Sequence, residues 1–184
     1  MRVAIFGGSF DPPHVAHVLA VAYVLAVGDV DEVLVVPCFR HPLAKALTSF
    51  ADRFAMCERA MGWLPRTRVS RVEEELGGES RTLRTLEHLA AQHPGWQMRL
   101  VVGADVVVES PRWHGYDAIA RLAPPLVLGR AGVAYEGAPP ALLPEVSSSA
   151  IRRALAQGES DAIAALVPRD VLAFIAERGL YRAA

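Results

Sequence analysis

The chain has 184 residues, of which 52% are hydrophobic and 21% are charged, and its formal net charge at pH 7 is -1. This length is sufficient for one well-buried domain and too short for two, so we expect a single domain over residues 1–184. The near-neutral charge excludes an electrostatic basis for binding nucleic acid or an acidic membrane, and it favours a small-molecule partner.

Targeting signals and cysteines bear on localisation. The apolar start is not preceded by a basic region, and no uninterrupted apolar run in the sequence reaches membrane-spanning length. Cys38 and Cys57 are the only cysteines and have no repeated spacing, which is typical of a reduced cytosolic protein. We therefore expect a cytoplasmic protein without a membrane or nucleic-acid partner.

The chain opens with the pattern of a strand, a glycine turn and a helix. Residues 3–6 have the β-branched and aromatic character of a buried parallel strand, and the Gly7-Gly8 pair permits a sharp turn that can approach a ligand closely. Asp11 or Ser9 can cap the helix that the apolar residues 15–27 predict. The amide groups at the start of this helix should attract an anion.

Two histidines stand three residues apart at this helix start, so His14 and His17 share one face. Imidazoles beside main-chain N–H donors can stabilise charge on a transferring nucleotidyl group without covalent chemistry. A zinc site is one alternative, but it needs further ligands and neither cysteine lies in a paired motif nearby. Two structural histidines in a polar turn are another alternative, and the surrounding glycine-rich motif favours the phosphate site.

The run GGSFDPPHVAH at residues 7–17 resembles the first signature of nucleotidyltransferases that carry a His-x-Gly-His motif, and especially of nicotinate-nucleotide adenylyltransferases. The resemblance implies an α/β fold, a Rossmann-like parallel sheet with helices on both faces, in which ATP binds near Gly8, Ser9 and Phe10. It also implies that the phosphate of a pyridine mononucleotide attacks the α-phosphorus of ATP. Ala16 stands where the family has glycine, and its methyl group could crowd a ligand.

The second strand is predicted at residues 33–36 and is followed by a loop over residues 38–45. The family often has a Pro-Pro-His-Lys-like sequence here that contacts phosphates, and Lys45 and His41 are candidates for that role. Exposed basic residues on a loop can also be simply solvated. The next helix is predicted over residues 50–61, with Asp52-Arg53 and Glu58-Arg59 on its outer face.

Residues 69–75 predict a strand or an extended segment, which is followed by a glycine turn and a helix that begins near Thr82. This helix start resembles the family's Tyr-Thr-x-x-Thr-Leu, with Arg81 in the tyrosine position. The resemblance implies that main-chain groups near Thr82 contact the pyridine carboxylate or amide, and Arg81 could bind the anionic nicotinate form. Plain helix capping by serine and threonine is the alternative.

Another buried strand is predicted at residues 98–105 and delivers Gly103 and Asp105 to the same sheet edge. These residues match the family's Gly-x-Asp segment, which implies a bond from Asp105 to a ribose hydroxyl. Trp113 stands where the family has a tryptophan that stacks on the pyridine ring, and plain core packing is the alternative.

A strand at residues 126–130 and a loop at residues 131–143, which could cover the nucleotide, precede a second motif. The run VSSSAIR at residues 146–152 resembles the family's Ile-Ser-Ser-Thr-x-Ile-Arg. Serine hydroxyls and amides at a helix start make a second anion site, and Arg152 would hold the β- and γ-phosphates. The serines concerned are Ser147, Ser148 and Ser149.

The alternation of strands and helices indicates parallel βαβ units. The family resemblance implies in-line displacement in which Mg²⁺, His14, His17, Lys45 and Arg152 spread the charge, with Mg²⁺ held mainly by ATP phosphates and water. The expected products are deamido-NAD and pyrophosphate. Two alternatives stay open: transfer to another phosphorylated acceptor, such as nicotinamide mononucleotide or 4′-phosphopantetheine, and a nucleotide-binding module without turnover.

Overall fold

The computed structural model describes residues 1–43, 46–109, 113, 115–129, 133, 135–136, 139–140 and 143–182. Its strands in this part of the chain are β1 (Arg2–Gly8), β2 (Glu32–Pro37), β3 (Thr67–Val69), β4 (Gln97–Gly103) and β5 (Pro125–Leu128). They form a parallel sheet with the order β3-β2-β1-β4-β5. This is the Rossmann-like order that the α/β prediction requires.

Helices cover both faces of the sheet because alternate strand residues point to opposite sides. The helices are α1 (Val15–Val27), α2 (Phe50–Met61), α3 (Val72–Leu76), α4 (Thr82–Gln92), α5 (Ala104–Glu109), α6 (Tyr116–Leu122), α7 (Ser148–Ala156), α8 (Ser160–Ile163) and α9 (Arg169–Arg178). Ala4 of β1 packs in a core with side chains from α1, α2 and α7–α9. Its neighbours Val3 and Ile5 pack on the other face against α3–α6.

The strand predicted at residues 69–75 is wrong in most of its length. β3 ends at Val69, and α3 begins at Val72 with Glu73, Glu74 and Glu75 in its first turn. Consecutive carboxylates are favourable at the positive end of a helix, whereas a parallel strand covered on both faces would bury all of them.

The outer face predicted for α2 is wrong at Asp52 and Arg53. Their exposed fractions are 8% and 1%, whereas Glu58 and Arg59 are exposed as expected. Charged residues are buried when internal partners satisfy them, and such partners come from distant parts of the chain that a helical period does not reveal.

The strand order reverses direction between β1 and β4, and ligands of open α/β sheets bind at such a point, outside the carboxyl ends of the strands. The last register pairs along this edge are Gly8 with Pro37 and Gly103 with Leu128.

Within the described ranges, the helices are all too short or too polar to cross a bilayer.

Candidate active site

The turn after β1 is shaped by the contact between Gly8 and Phe10. Phe10 has a positive φ of 49°, and its ring folds back so that a Cβ on Gly8 would lie 2.9 Å from the ring Cζ atom. The ring is 2% exposed and meets Phe6 and His17 edge-on, at centroid distances of 5.4 and 4.9 Å. Phe10, expected to contact ATP, is therefore almost fully buried.

His14 caps α1, although Asp11 or Ser9 was predicted for this position. The main-chain N–H of His14 donates to Nδ1 of His17 at 3.1 Å, and the two rings stack with centroids 3.7 Å apart. His14 is buried and His17 is half-buried. Because Nδ1 of His17 accepts this bond, the neutral imidazole carries its proton on Nε2, which makes that atom a donor suited to a phosphate oxygen.

The predicted helix cap Asp11 has a different role. Its side chain is 2% exposed, and Oδ1 accepts a hydrogen bond from the Tyr181 hydroxyl at 2.6 Å. Oδ2 accepts from the main-chain N–H of Thr48 at 3.3 Å. Burial, and secondly the bond to Asp11, raise the pKa of the Tyr181 hydroxyl well above its ordinary value, so this group remains a donor at neutral pH.

The second motif contacts the first motif directly. Arg152 Nη1 donates to the main-chain oxygen of Asp11 at 2.7 Å, and Ser148 Oγ donates to the main-chain oxygen of Pro12 at 2.9 Å. The Arg152 side chain remains 33% exposed. The structure therefore brings the two predicted anion sites together, although they are far apart in the chain.

The three predicted serines occupy different environments. Ser147 caps α7, since its Oγ accepts the N–H of Ala150 at 3.2 Å, and Ser148 joins the two motifs. Ser149 is exposed. Arg153, which follows Arg152 in α7, is exposed too.

Asp105 lies at the carboxyl end of β4, in the first turn of α5. A Cβ on Gly103 would collide with Oδ1 of Asp105, so the carboxylate lies directly against the glycine. Because β4 is the neighbour of β1, Asp105 is at the edge where the first turn also lies.

Trp113 is half-buried and lines an apolar pocket with Val102, Val107 and Tyr116. This packing is compatible with the alternative role of Trp113 in the core, although the residue is only partly buried. Ala16 is buried, with an exposed fraction of 5%.

The predicted mononucleotide residues Arg81 and Thr82 lie at the start of α4. Thr82 is the first residue of α4, and Arg81, which precedes it, is exposed and forms an ion pair with Glu79 at 2.8 Å. The guanidinium of Arg81 is therefore exposed to solvent in a surface ion pair. An anion that binds the guanidinium more tightly can replace Glu79.

The loop after β2 connects the start of α4 to the first turn. The N–H of Cys38 donates to the oxygen of Gly8 at 2.9 Å, and the N–H of Phe39 donates to Ser80 Oγ at 2.8 Å. His41 lies in this loop, where its Nδ1 accepts from the N–H of Leu43 at 3.2 Å. Lys45, predicted as a phosphate ligand, is outside the described residues.

Glu73 is a residue of this region that the sequence did not single out. Its Oε2 accepts from the N–H of Phe39 at 3.1 Å, and its Oε1 accepts from the Thr85 hydroxyl at 3.0 Å. One carboxylate therefore joins the loop after β2 to the first turn of α4. The signal in the sequence that pointed to such a partner was Thr85, the second threonine of the Tyr-Thr-x-x-Thr-Leu-like run, because a buried hydroxyl needs a hydrogen-bond partner.

Arg53 is a second residue that sequence reasoning missed. Its guanidinium donates to the oxygens of Thr48 and Ser9, both at 2.9 Å, and of Phe39 at 3.3 Å. A planar guanidinium with several fixed donors suits such a set of carbonyls. Arg53 therefore joins the first turn to the loop after β2.

The two cysteines are unsuited to nucleophilic chemistry. Burial raises the pKa of both the Cys38 and the Cys57 thiols, so each stays protonated near neutral pH. Within the described part of the chain, no group of three or more His, Cys, Asp or Glu side chains is arranged to hold a metal ion.

Comparison with known proteins identifies the family of this chain. The sequence model of the cytidylyltransferase-like family matches residues 5–154. A protein of Anaeromyxobacter sp. (strain K), named "probable nicotinate-nucleotide adenylyltransferase", is 45% identical over 98% of this chain and 97% of its own length. The chain belongs to the nicotinate-nucleotide adenylyltransferase family. A relative of the same name from Myxococcus xanthus (strain DK1622) is 41% identical over 98% of this chain and 95% of its own length.

Solved structures of this family have the same fold. The nicotinic acid mononucleotide adenylyltransferase of Plasmodium falciparum, in a complex with APC, superimposes with a TM-score of 0.81. The alignment covers 98% of this chain and 96% of that chain, at 19% sequence identity. Family membership identifies the chain as a nucleotidyltransferase, the enzyme class that its first motif resembles.

Proposed function

We propose that residues 1–184 act as a single nucleotidyltransferase domain that transfers the adenylyl group of ATP to nicotinate mononucleotide and forms deamido-NAD and pyrophosphate. The observation that carries this proposal is the contact of Arg152 and Ser148 with Asp11 and Pro12, which joins the two motifs that we propose to bind phosphates. The names of the full-length relatives support the choice of acceptor.

The reaction is a single displacement at the α-phosphorus of ATP. A phosphate oxygen of the mononucleotide forms the new P–O bond as the bond to the bridging oxygen breaks, and that electron pair leaves with pyrophosphate. The attacking phosphate is already ionised near neutral pH, so the protein supplies position and charge and needs no general base.

His17 and Arg152 supply these charges in the proposal. Nε2 of His17 donates to an oxygen of the α-phosphate as charge develops there, and the His14 N–H keeps the imidazole in the required tautomer. Arg152 exchanges its bond to the Asp11 carbonyl for oxygens of the departing phosphates. Gly8, Ser9 and the start of α7, with Ser147 to Ser149, provide main-chain and hydroxyl donors.

ATP enters as its Mg²⁺ complex. Mg²⁺ prefers oxygen ligands and retains water, so the triphosphate itself fits it better than the imidazoles of the first motif. The bound ion neutralises charge on the phosphates, while Lys45 adds a further positive charge in the proposal. Asp105 holds a ribose hydroxyl of the nucleotide.

The acceptor binds on the α4 side of the crevice. The carboxylate of nicotinate meets the main chain at Thr82 and takes the place of Glu79 on Arg81, and Trp113 stacks on the pyridine ring. This arrangement favours the anionic acceptor over its amide.

Pyrophosphate release by the purified protein tests the proposal. The protein is supplied with MgATP and, in separate reactions, with nicotinate mononucleotide, nicotinamide mononucleotide or 4′-phosphopantetheine. We expect turnover with the first acceptor, and we expect it to fall strongly in Arg152→Ala and to persist in the neighbouring control Arg153→Ala. Turnover with another acceptor only would move the protein to a related activity, and ATP binding without any turnover would indicate a binding module.

A further inference from the structure

Tyr181 reaches the first turn from the segment that follows α9. This helix packs on α2, where Arg178 Nε lies 3.1 Å from Asp52 Oδ1. α9 ends at Gly179, whose φ of 62° is in the left-handed region that favours glycine and redirects the chain. The position of the Tyr181 hydroxyl is therefore set by helix packing on one face of the sheet.

Asp11 receives that hydroxyl and has a limited contact with Arg152. The Tyr181 bond to Oδ1 is 2.6 Å long, and the Thr48 N–H lies 3.3 Å from Oδ2. Arg152 Nη1 is 2.7 Å from the Asp11 main-chain oxygen but 3.9 Å from its carboxylate Oδ2. The buried charge is therefore satisfied mainly by the hydroxyl and an amide, and Arg152 remains partly exposed.

Loss of the Tyr181 hydroxyl would leave Oδ1 of a carboxylate that is 2% exposed without its short hydrogen bond. A buried charge that loses a donor takes the nearest replacement, and Arg152 is already within 3.9 Å. A close guanidinium–carboxylate pair is charge-assisted and strong at a buried site. It would hold Arg152 on Asp11 and away from a ligand.

We propose that Tyr181 is a positioning residue of the nucleotide site. By binding Oδ1 of Asp11, it prevents this carboxylate from forming a full ion pair with Arg152, and so it leaves the guanidinium available to the phosphates of ATP. The inference rests on the proposed function, since it takes Arg152 as a phosphate ligand.

Calorimetric binding of MgATP to the full chain tests this role, with Tyr181→Phe as the variant and Tyr23→Phe as a control that removes a hydroxyl from another half-buried tyrosine. We expect the Kd for MgATP to rise about tenfold in Tyr181→Phe. The control should stay within about twofold of the unmutated protein, and so should the KM for the mononucleotide in both variants. An unchanged Kd in Tyr181→Phe would overturn the proposal.

Asp11→Asn distinguishes positioning from general structural support. A neutral side chain does not capture Arg152, so Tyr181→Phe should change the Kd for MgATP less than about twofold in the Asp11→Asn background. Equal losses in both backgrounds would overturn the proposal. If circular dichroism shows Tyr181→Phe to be unfolded, recovery of folding and of ATP binding in the double variant supports the proposal, and persistent unfolding contradicts it.

The same measurements distinguish failure of the proposed function from failure of the proposed role of Tyr181. If the unmutated protein binds MgATP but releases no pyrophosphate with nicotinate mononucleotide, the proposed function fails, while the Kd comparison still decides the role of Tyr181. If the unmutated protein does not bind MgATP, the role of Tyr181 is overturned as well.

Discussion

Replacement of Arg53 by lysine tests whether this buried guanidinium holds the first turn and the loop after β2 in place. Arg53 is 1% exposed and donates to the carbonyl oxygens of Thr48, Ser9 and Phe39. Lysine keeps the charge, but its single ammonium group does not reproduce the planar set of donors, so we expect two of these carbonyls to lose their partner.

The expected cost follows from these contacts. A buried polar group left without its partner costs about 1–3 kcal/mol, so two such carbonyls predict a loss of about 2–6 kcal/mol in the free energy of unfolding. A domain in the middle or upper part of the ordinary stability range, about 5–15 kcal/mol, still folds after this loss. Because Ser9 borders the proposed phosphate site, we also expect the KM for ATP to rise in Arg53→Lys.

Urea unfolding at equilibrium measures this change, with Arg59→Lys as the matched control. Arg59 lies on the same helix but is exposed, and its guanidinium stacks 4.3 Å from the ring centroid of Phe174. Its replacement should cost less than about 1 kcal/mol. If Arg53→Lys costs no more than this control, the guanidinium contacts do not stabilise the turn and the reasoning is refuted.

Three further predictions concern catalysis, acceptor binding and alkaline stability. His17→Ala should lower kcat for pyrophosphate release by about 10²–10³, and an unchanged kcat would exclude a catalytic imidazole. Glu73→Ala should raise the KM for the mononucleotide several-fold and leave the KM for ATP unchanged, because Glu73 joins Phe39 to Thr85 beside the proposed acceptor site. Equal rises in both KM values would contradict this prediction. The pKa of the Tyr181 hydroxyl is raised in the folded protein, so the unfolded chain loses the hydroxyl proton first as the pH rises through about 10. The free energy of unfolding should therefore fall by up to about 1.4 kcal/mol per pH unit above that value. Urea titrations should give a smaller alkaline slope for Tyr181→Phe, and identical slopes would refute the assignment.

Local patterns in the sequence were sufficient to locate the strands of the sheet and most of the helices. Buried parallel strands are continuous apolar runs, so β1, β2 and β4 were located within one or two residues of their ends. The segment at residues 69–75 failed because Val69 and Val72 suggest a strand, whereas the three glutamates that follow favour a helix start. The roles of His14, His17 and Arg152 remain predictions from motif resemblance.

The sequence by itself determined the family and the position of the two motifs that are predicted to bind phosphate, because each motif is a contiguous run of residues. Tertiary structure alone decided how those motifs are held together. Arg53 binds Ser9, and Tyr181 binds Asp11, across a long separation in the chain. In the sequence alone, Arg53 has the pattern of an exposed charge and Asp11 has the pattern of an ordinary helix cap. Such contacts depend on which helices pack on which face of the sheet, and local periodicity contains no information about that choice.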